Sequence, residues 1–144
     1  MRKIALAACL LAAATGCAAA RHGLHYTPAA GTPRPYSPVV RANGFVFLAG
    51  QLGTDSTGRL TSGGIQPETR QALTNVRALL LRGGSSMDRV VKCTVFLADV
   101  REWAAMNEAY TTFFPAGRYP ARTALGVAGL PMDARVEIEC LAVE

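Results

Sequence analysis

Arg135-Val136-Glu137-Ile138-Glu139-Cys140-Leu141-Ala142-Val143 alternates apolar and polar with period two, which predicts a β-strand. Val136, Ile138, Cys140 and Ala142 point one way; Glu137, Glu139, Leu141 and Val143 point the other. The two glutamates share a side and lie about 7 Å apart, given a rise of roughly 3.4 Å per residue. If that side lines a pocket, one carboxylate can orient water or shuttle protons. If it faces solvent, or Lys92, Arg89 or Arg135, both are ordinary surface charges.

Outward from this strand, residues 122–127 predict another, joined to it by a turn at Leu130-Pro131-Met132-Asp133. Residues 90–98 predict a buried strand. Next, Trp103, Met106, Tyr110 and Phe113 recur at i, i+3, i+7 and i+10, one face of a helix, and core packing is their expected role. Asp99 with Glu102 has the spacing of a capping box at its start, and Pro115 and Gly117 end it. Ala72, Leu73, Val76, Leu79 and Leu80 predict an earlier helix over 67–82, with Pro67 in its first turn and Gly83-Gly84 as its stop. Asn43-Gly44, between apolar runs at 39–42 and 45–49, predicts a two-residue hairpin, because both turn positions need positive φ. The order of elements predicts an α+β fold, a mixed sheet with two helices on one face.

The N-terminus reads differently. Arg2 and Lys3 precede an apolar run over 4–14 and small residues over 15–20, the three-part build of a secretory signal peptide. The run is shorter than the roughly 20 residues of a membrane span. Ala14-Thr15-Gly16-Cys17 resembles a bacterial lipobox, with alanine where leucine is usual; ordinary cleavage after Ala18-Ala19-Ala20 is the rival reading. The expectation is a signal over 1–17 with lipid on Cys17, a Pro- and Gly-rich tether over 18–34, and a folded domain over 35–144 on the periplasmic side of a bacterial membrane. With Arg2 and Lys3 removed, the net charge falls from +5 to about +3. No basic stripe interleaved with aromatics appears, so no nucleic-acid partner is expected. Both histidines, His22 and His25, fall in the tether and no cysteine pair has ligand spacing, so no metal is expected. Cys93 and Cys140 each sit in a predicted strand, and export would place them in an oxidising compartment. A disulfide and two buried thiols both remain open, because the Cα separation is not legible in sequence.

Arg122 stands at the start of its strand in Tyr119-Pro120-Ala121-Arg122-Thr123. Its planar fork suits a carboxylate, yet alone it reads better as a surface ion-pair residue. It has company, however. Pro35-Tyr36-Ser37-Pro38-Val39-Val40, Gly50-Gln51-Leu52, Thr69 to Val76, Val91 to Leu97, Met106-Asn107-Glu108-Ala109-Tyr110, Pro120-Ala121-Arg122-Thr123 and Val136-Glu137-Ile138-Glu139 follow one another at consistent spacing. In these blocks the chain resembles the reactive intermediate deaminase family (RidA, or YjgF) from Tyr36 to Glu144.

The resemblance implies a fold like that of chorismate mutase and a homotrimer with clefts between subunits. It also implies cofactor-free hydrolysis of enamines and imines such as 2-aminoacrylate to 2-keto acids and ammonia. By matching position, Arg122 holds the substrate carboxylate and Glu137 activates water; Tyr36 and Asn107 line the cleft and Gly50 forms its backbone wall. Three positions depart from the family pattern: Ala49 where serine is frequent, Ala124 where cysteine or serine is, and Gly126 where glutamate is. Two rivals to an enzyme follow: a module that binds or senses small carboxylates without turnover, and a trimeric surface protein used for interaction.

Overall fold

The computed structural model describes residues 23–29, 31 and 33–144. The signal segment, Cys17 and the first part of the tether lie outside the described residues.

The hairpin forms where Asn43-Gly44 predicts it. Strands β2 (Val39–Ala42) and β3 (Phe45–Leu48) pair antiparallel with Ala42 opposite Phe45, and Asn43 and Gly44 take φ of 51° and 80°. A further strand, β1 (His25–Thr27), pairs with β2, so the sheet begins inside the stretch read as tether. The outer edge of β2 offers unpaired backbone groups, and Tyr26 and Thr27 are residue types that suit a pleated surface.

The alternating segment is β7 (Val136–Val143), near the middle of the sheet. On one side it pairs with β3 and, further along, with the two-residue β4 (Gln51–Leu52); on the other it pairs with β5 (Val90–Leu97). Strand β6 (Ala121–Gly126) lies parallel to β5 and closes the order β1-β2-β3-β7-β5-β6. A parallel pair needs a crossover, and α2 (Trp103–Tyr110) supplies it. Helix α1 (Ile65–Arg82) packs beside α2 on the same face of β7. Leu73, Val76 and Leu80 of α1, Met106 of α2, and Val95, Leu97, Val136 and Ile138 of the sheet are all fully buried in one core. The expected α+β architecture is therefore the observed one. Among the described residues, no helix is long and apolar enough to cross a membrane.

Two local expectations change, and one open question is decided. Helix α1 starts at Ile65, two residues before Pro67; proline is tolerated there because first-turn N–H groups lack intrahelical partners anyway. The Asp99/Glu102 capping box does not form. A 3-10 turn over Val100–Glu102 intervenes, so Asp99 accepts from the Arg101 N–H at 2.9 Å, while Glu102 pairs with Arg135 at 2.7 Å. Lastly, Cys93 and Cys140 stand directly opposite on β5 and β7, with Cα atoms 4.1 Å apart, and form a disulfide. Strand register decides this pairing, and neither strand's own pattern reveals register.

Candidate active site

The same register assigns the functional side chains to faces. Cys93 lies opposite both Cys140 and Arg122, and Phe96 opposite both Glu137 and Leu125. Residues directly opposite one another share a face. Both cysteines are buried under the helices, so Arg122 projects to the helical face. Glu137 sits between fully buried Val136 and Ile138, so it projects to the open face. Within one protomer, the two residues that the resemblance makes catalytic leave the sheet on opposite sides.

On the helical face, the Arg122 guanidinium carbon lies 4.6 Å from the Tyr110 ring centroid and 5.5 Å from that of Trp103. Such stacking holds the fork by cation–π attraction and leaves its N–H groups directed elsewhere. No salt bridge engages Arg122 among the described residues, so the ion-pair reading does not apply there. Trp103 corrects the expectation of core packing. It is 37% exposed and flanks Arg122, whereas Met106 and Tyr110 are buried as expected and Phe113 is half-buried beneath Arg77. Asn107, four residues after Trp103 and three before Tyr110, shares their side of α2. Its Oδ1 and the Tyr110 hydroxyl are buried without a hydrogen-bond partner among the described residues. Burial pushes the Tyr110 phenol up to about 12, against the opposing pull of Arg122, so it remains a neutral donor at ordinary pH. Arg122, Asn107 and Tyr110 thus present a cationic fork and two unpaired polar groups.

The open face carries the other half, a cleft of about 720 Å³ lined by Arg34, Tyr36, Ala49, Gly50, Met132 and Glu137 among others. Burial, and then the like charge of Glu139, raises the Glu137 pKa above the usual 4.5, so its carboxylate takes up a proton more readily. Gly50 is where the backbone meets that carboxylate. A Cβ there would collide with Oε1 and stand 2.8 Å from Cδ, so only glycine leaves Glu137 its place. Both residues are positioned from α1. Asn75 donates to the carbonyls of Leu52 and Thr54, each at 2.9 Å, and fixes the strand after Gly50. Glu68, buried in the first turn, accepts from the Arg135 N–H at 2.9 Å and fixes the start of β7.

The structure therefore brings Tyr36, Gly50 and Glu137 together, and separately sets Arg122 on the α2 face that carries Asn107. The sequence reading missed Trp103, Tyr110, Glu68, Asn75 and Arg34. Asn75 lies inside a block that carries the resemblance, yet a polar residue on a helix does not announce its acceptor. Of the three departures, Ala49 lines the open cleft, while Ala124 and Gly126 lie opposite Val95 and Leu97 on the face of Arg122. Among the described residues, no three His, Cys, Asp or Glu side chains are grouped to hold a metal.

Comparison with known proteins places this arrangement. A family model described as endoribonuclease L-PSP matches residues 27–144. The 2-iminobutanoate/2-iminopropanoate deaminase of Mus musculus is 44% identical over 111 residues, 76% of this chain and 82% of that protein. The crystal structure of RidA from an Antarctic Psychrobacter superposes with a TM-score of 0.73 at 36% identity, covering 81% of this chain and 93% of that one. Escherichia coli TdcF with bound serine gives 0.73 at 35%, covering 84% and 97%. The chain belongs to the endoribonuclease L-PSP family, the RidA/YjgF group that its sequence blocks resemble.

Proposed function

We propose that the protein hydrolyses 2-imino acids and their enamine tautomers to 2-keto acids and ammonia, at sites that two copies of the chain complete together. The observation that carries this reading is the Glu137 carboxyl, raised in pKa and held against Gly50 in an open cleft. The mouse relative's name as an imine deaminase and the serine in TdcF support a substrate of amino-acid size with a carboxylate.

The chemistry follows from the groups present. Arg122 grips the substrate carboxylate through its fork, and this fixes the imine carbon, so the reaction draws on proximity. Glu137 takes a proton from water as the water oxygen bonds to that carbon, giving a carbinolamine. The proton then passes to nitrogen, and the C–N bond breaks as the hydroxyl returns its proton to Glu137 and the carbonyl forms, releasing ammonia. A protonated imine is electrophilic enough to need no cofactor. The nuclease in the family model's description would need two proton carriers beside a phosphodiester, and among the named cleft residues Glu137 is the one carboxylate.

Arg122 and Glu137 meet only if the helical edge of one protomer adjoins the open cleft of the next. A closed ring does this at every interface, and the proposed assembly is a homotrimer. Phe45, Phe47 and Leu125, all exposed on the open face, give such a neighbour an apolar surface to cover. Export with a lipid on Cys17 belongs to the same proposal. It is supported by the signal-like N-terminus and by the Cys93–Cys140 disulfide, a bond suited to an oxidising compartment; mass spectrometry finding an unmodified chain beginning at Arg21 would contradict the anchor.

The deaminase is tested with imines generated in situ by an amino-acid oxidase. The protein accelerates their hydrolysis, and Arg122→Ala lowers kcat/KM by roughly a hundredfold or more. An unchanged rate in that variant refutes the role of Arg122. Keto-acid binding without acceleration favours the sensing module.

A further inference from the structure

The open cleft holds a feature that the imine chemistry above leaves unused. Arg34 lines it together with Tyr36, Gly50 and Glu137, and so does Arg82 at the end of α1. Arg34 Nη1 donates to the Tyr36 hydroxyl at 2.5 Å, and its guanidinium carbon lies 5.7 Å from that ring centroid. Arg82 Nη2 approaches the Pro28 carbonyl at 3.4 Å. Neither arginine forms a salt bridge among the described residues. Pro33 and Pro35 flank Arg34; one fixes its own φ, the other restricts the residue before it, so the backbone under this arginine is held extended. Arg34 and Arg82 thus add positive charge to the cleft that also holds Glu137.

We propose that Arg34 is a specificity residue that binds a second, distal carboxylate, so that the cleft prefers imines of acidic amino acids. This rests on the deaminase reading and adds the substrate class. Arg122 holds the carboxylate next to the imine carbon and Glu137 serves that carbon. Arg34 lines the cleft that holds Glu137, and the proposal sets the substrate side chain toward it. In one protomer the cleft measures about 720 Å³, within the roughly 300–1,000 Å³ typical of ligand pockets. The bond from Arg34 uses one lone pair of the Tyr36 oxygen and leaves the phenolic hydrogen free to donate to the same distal group.

The test compares imines made by oxidases from glutamate and from alanine, with the full mature protein. Wild type gives a higher kcat/KM on the glutamate-derived imine. Arg34→Ala lowers the ratio of the two values about ten- to a hundredfold, the span expected for losing charge-assisted hydrogen bonds, mainly through KM. Arg34→Lys retains part of the preference. Arg34→Glu moves it toward the arginine-derived imine, which a purely structural role for Arg34 does not predict. A ratio unchanged by Arg34→Ala overturns the proposal. Calorimetry with 2-oxoglutarate and pyruvate reads the subsite without turnover: wild type binds the dicarboxylate more tightly and Arg34→Ala loses that difference. If neither imine is hydrolysed, the deaminase reading fails while calorimetry still decides the subsite, and equal binding of the two keto acids by wild type rejects it.

Discussion

The two halves of the site are built by different means. On the helical face, Arg122 is held by ring faces, with Tyr110 2% exposed beneath it, and the half is fixed by packing. On the open face, Glu137 is held by an absence, the missing side chain of Gly50, and by two α1 residues that pin the flanking backbone. In the proposed reaction one half is a cationic clamp, and the other is a carboxyl whose proton affinity has been raised. The clamp needs only placement, whereas the acid–base group needs partial burial and pays for it in stability.

Glu137→Gln breaks the open half most directly. The rate falls roughly a hundred- to ten-thousandfold, the usual worth of a positioned general base, and substrate binding through Arg122 persists. The same variant reports the cost of burial. The folded-state pKa of Glu137 lies above its ordinary 4.5, so wild-type stability declines as pH rises through the window between unfolded and folded values and stays lowered above it. The Tm of Glu137→Gln therefore exceeds that of wild type near pH 7, and the gain vanishes near pH 4. For the same reason the acid limb of the wild-type kcat/KM profile lies above the titration of an ordinary glutamate. A Tm advantage independent of pH contradicts the assignment.

The Cys93–Cys140 bond ties β7, which carries Glu137, to β5, whose other neighbour β6 carries Arg122. Cys93→Ala with Cys140→Ala loses about 2–4 kcal/mol in denaturant unfolding, as expected for a bond closing a loop over a separation of 47 residues. Equal stability with and without reductant means that the bond does not form in solution. The smallest effect is at the rim of the clamp. Trp103→Ala removes one of the two rings beside Arg122 and raises KM about two- to tenfold with kcat nearly unchanged, a loss in the range of one cation–π contact.

Much of this was legible in the sequence, for local reasons. Asn43-Gly44 specified its hairpin, the alternation in β7 placed Glu137 and Glu139 on one side, and the periodicity over 67–82 located α1. What remained hidden depends on register and on space. Nothing in the pattern of β5 or β7 states that Cys93 meets Cys140, or that Arg122 and Glu137 leave opposite faces. Trp103 fits a helical stripe whether it is buried or flanks an arginine. The close approach of residue 50 to the Glu137 carboxylate exists only once β4 and β7 are side by side. His25-Tyr26-Thr27 carries too short a pattern to be recognised as a strand without the β2 edge beside it.

The division of the site between copies is tested most directly by complementation. Arg122→Ala and Glu137→Gln, each inactive alone, are mixed in equal amounts, dissociated and reassembled, and assayed on one imine. Sites that take Arg122 from one protomer and Glu137 from its neighbour return about a quarter of wild-type activity, because a random ring pairs an intact arginine with an intact glutamate at that fraction of its interfaces. A mixture as inactive as its components contradicts the shared site.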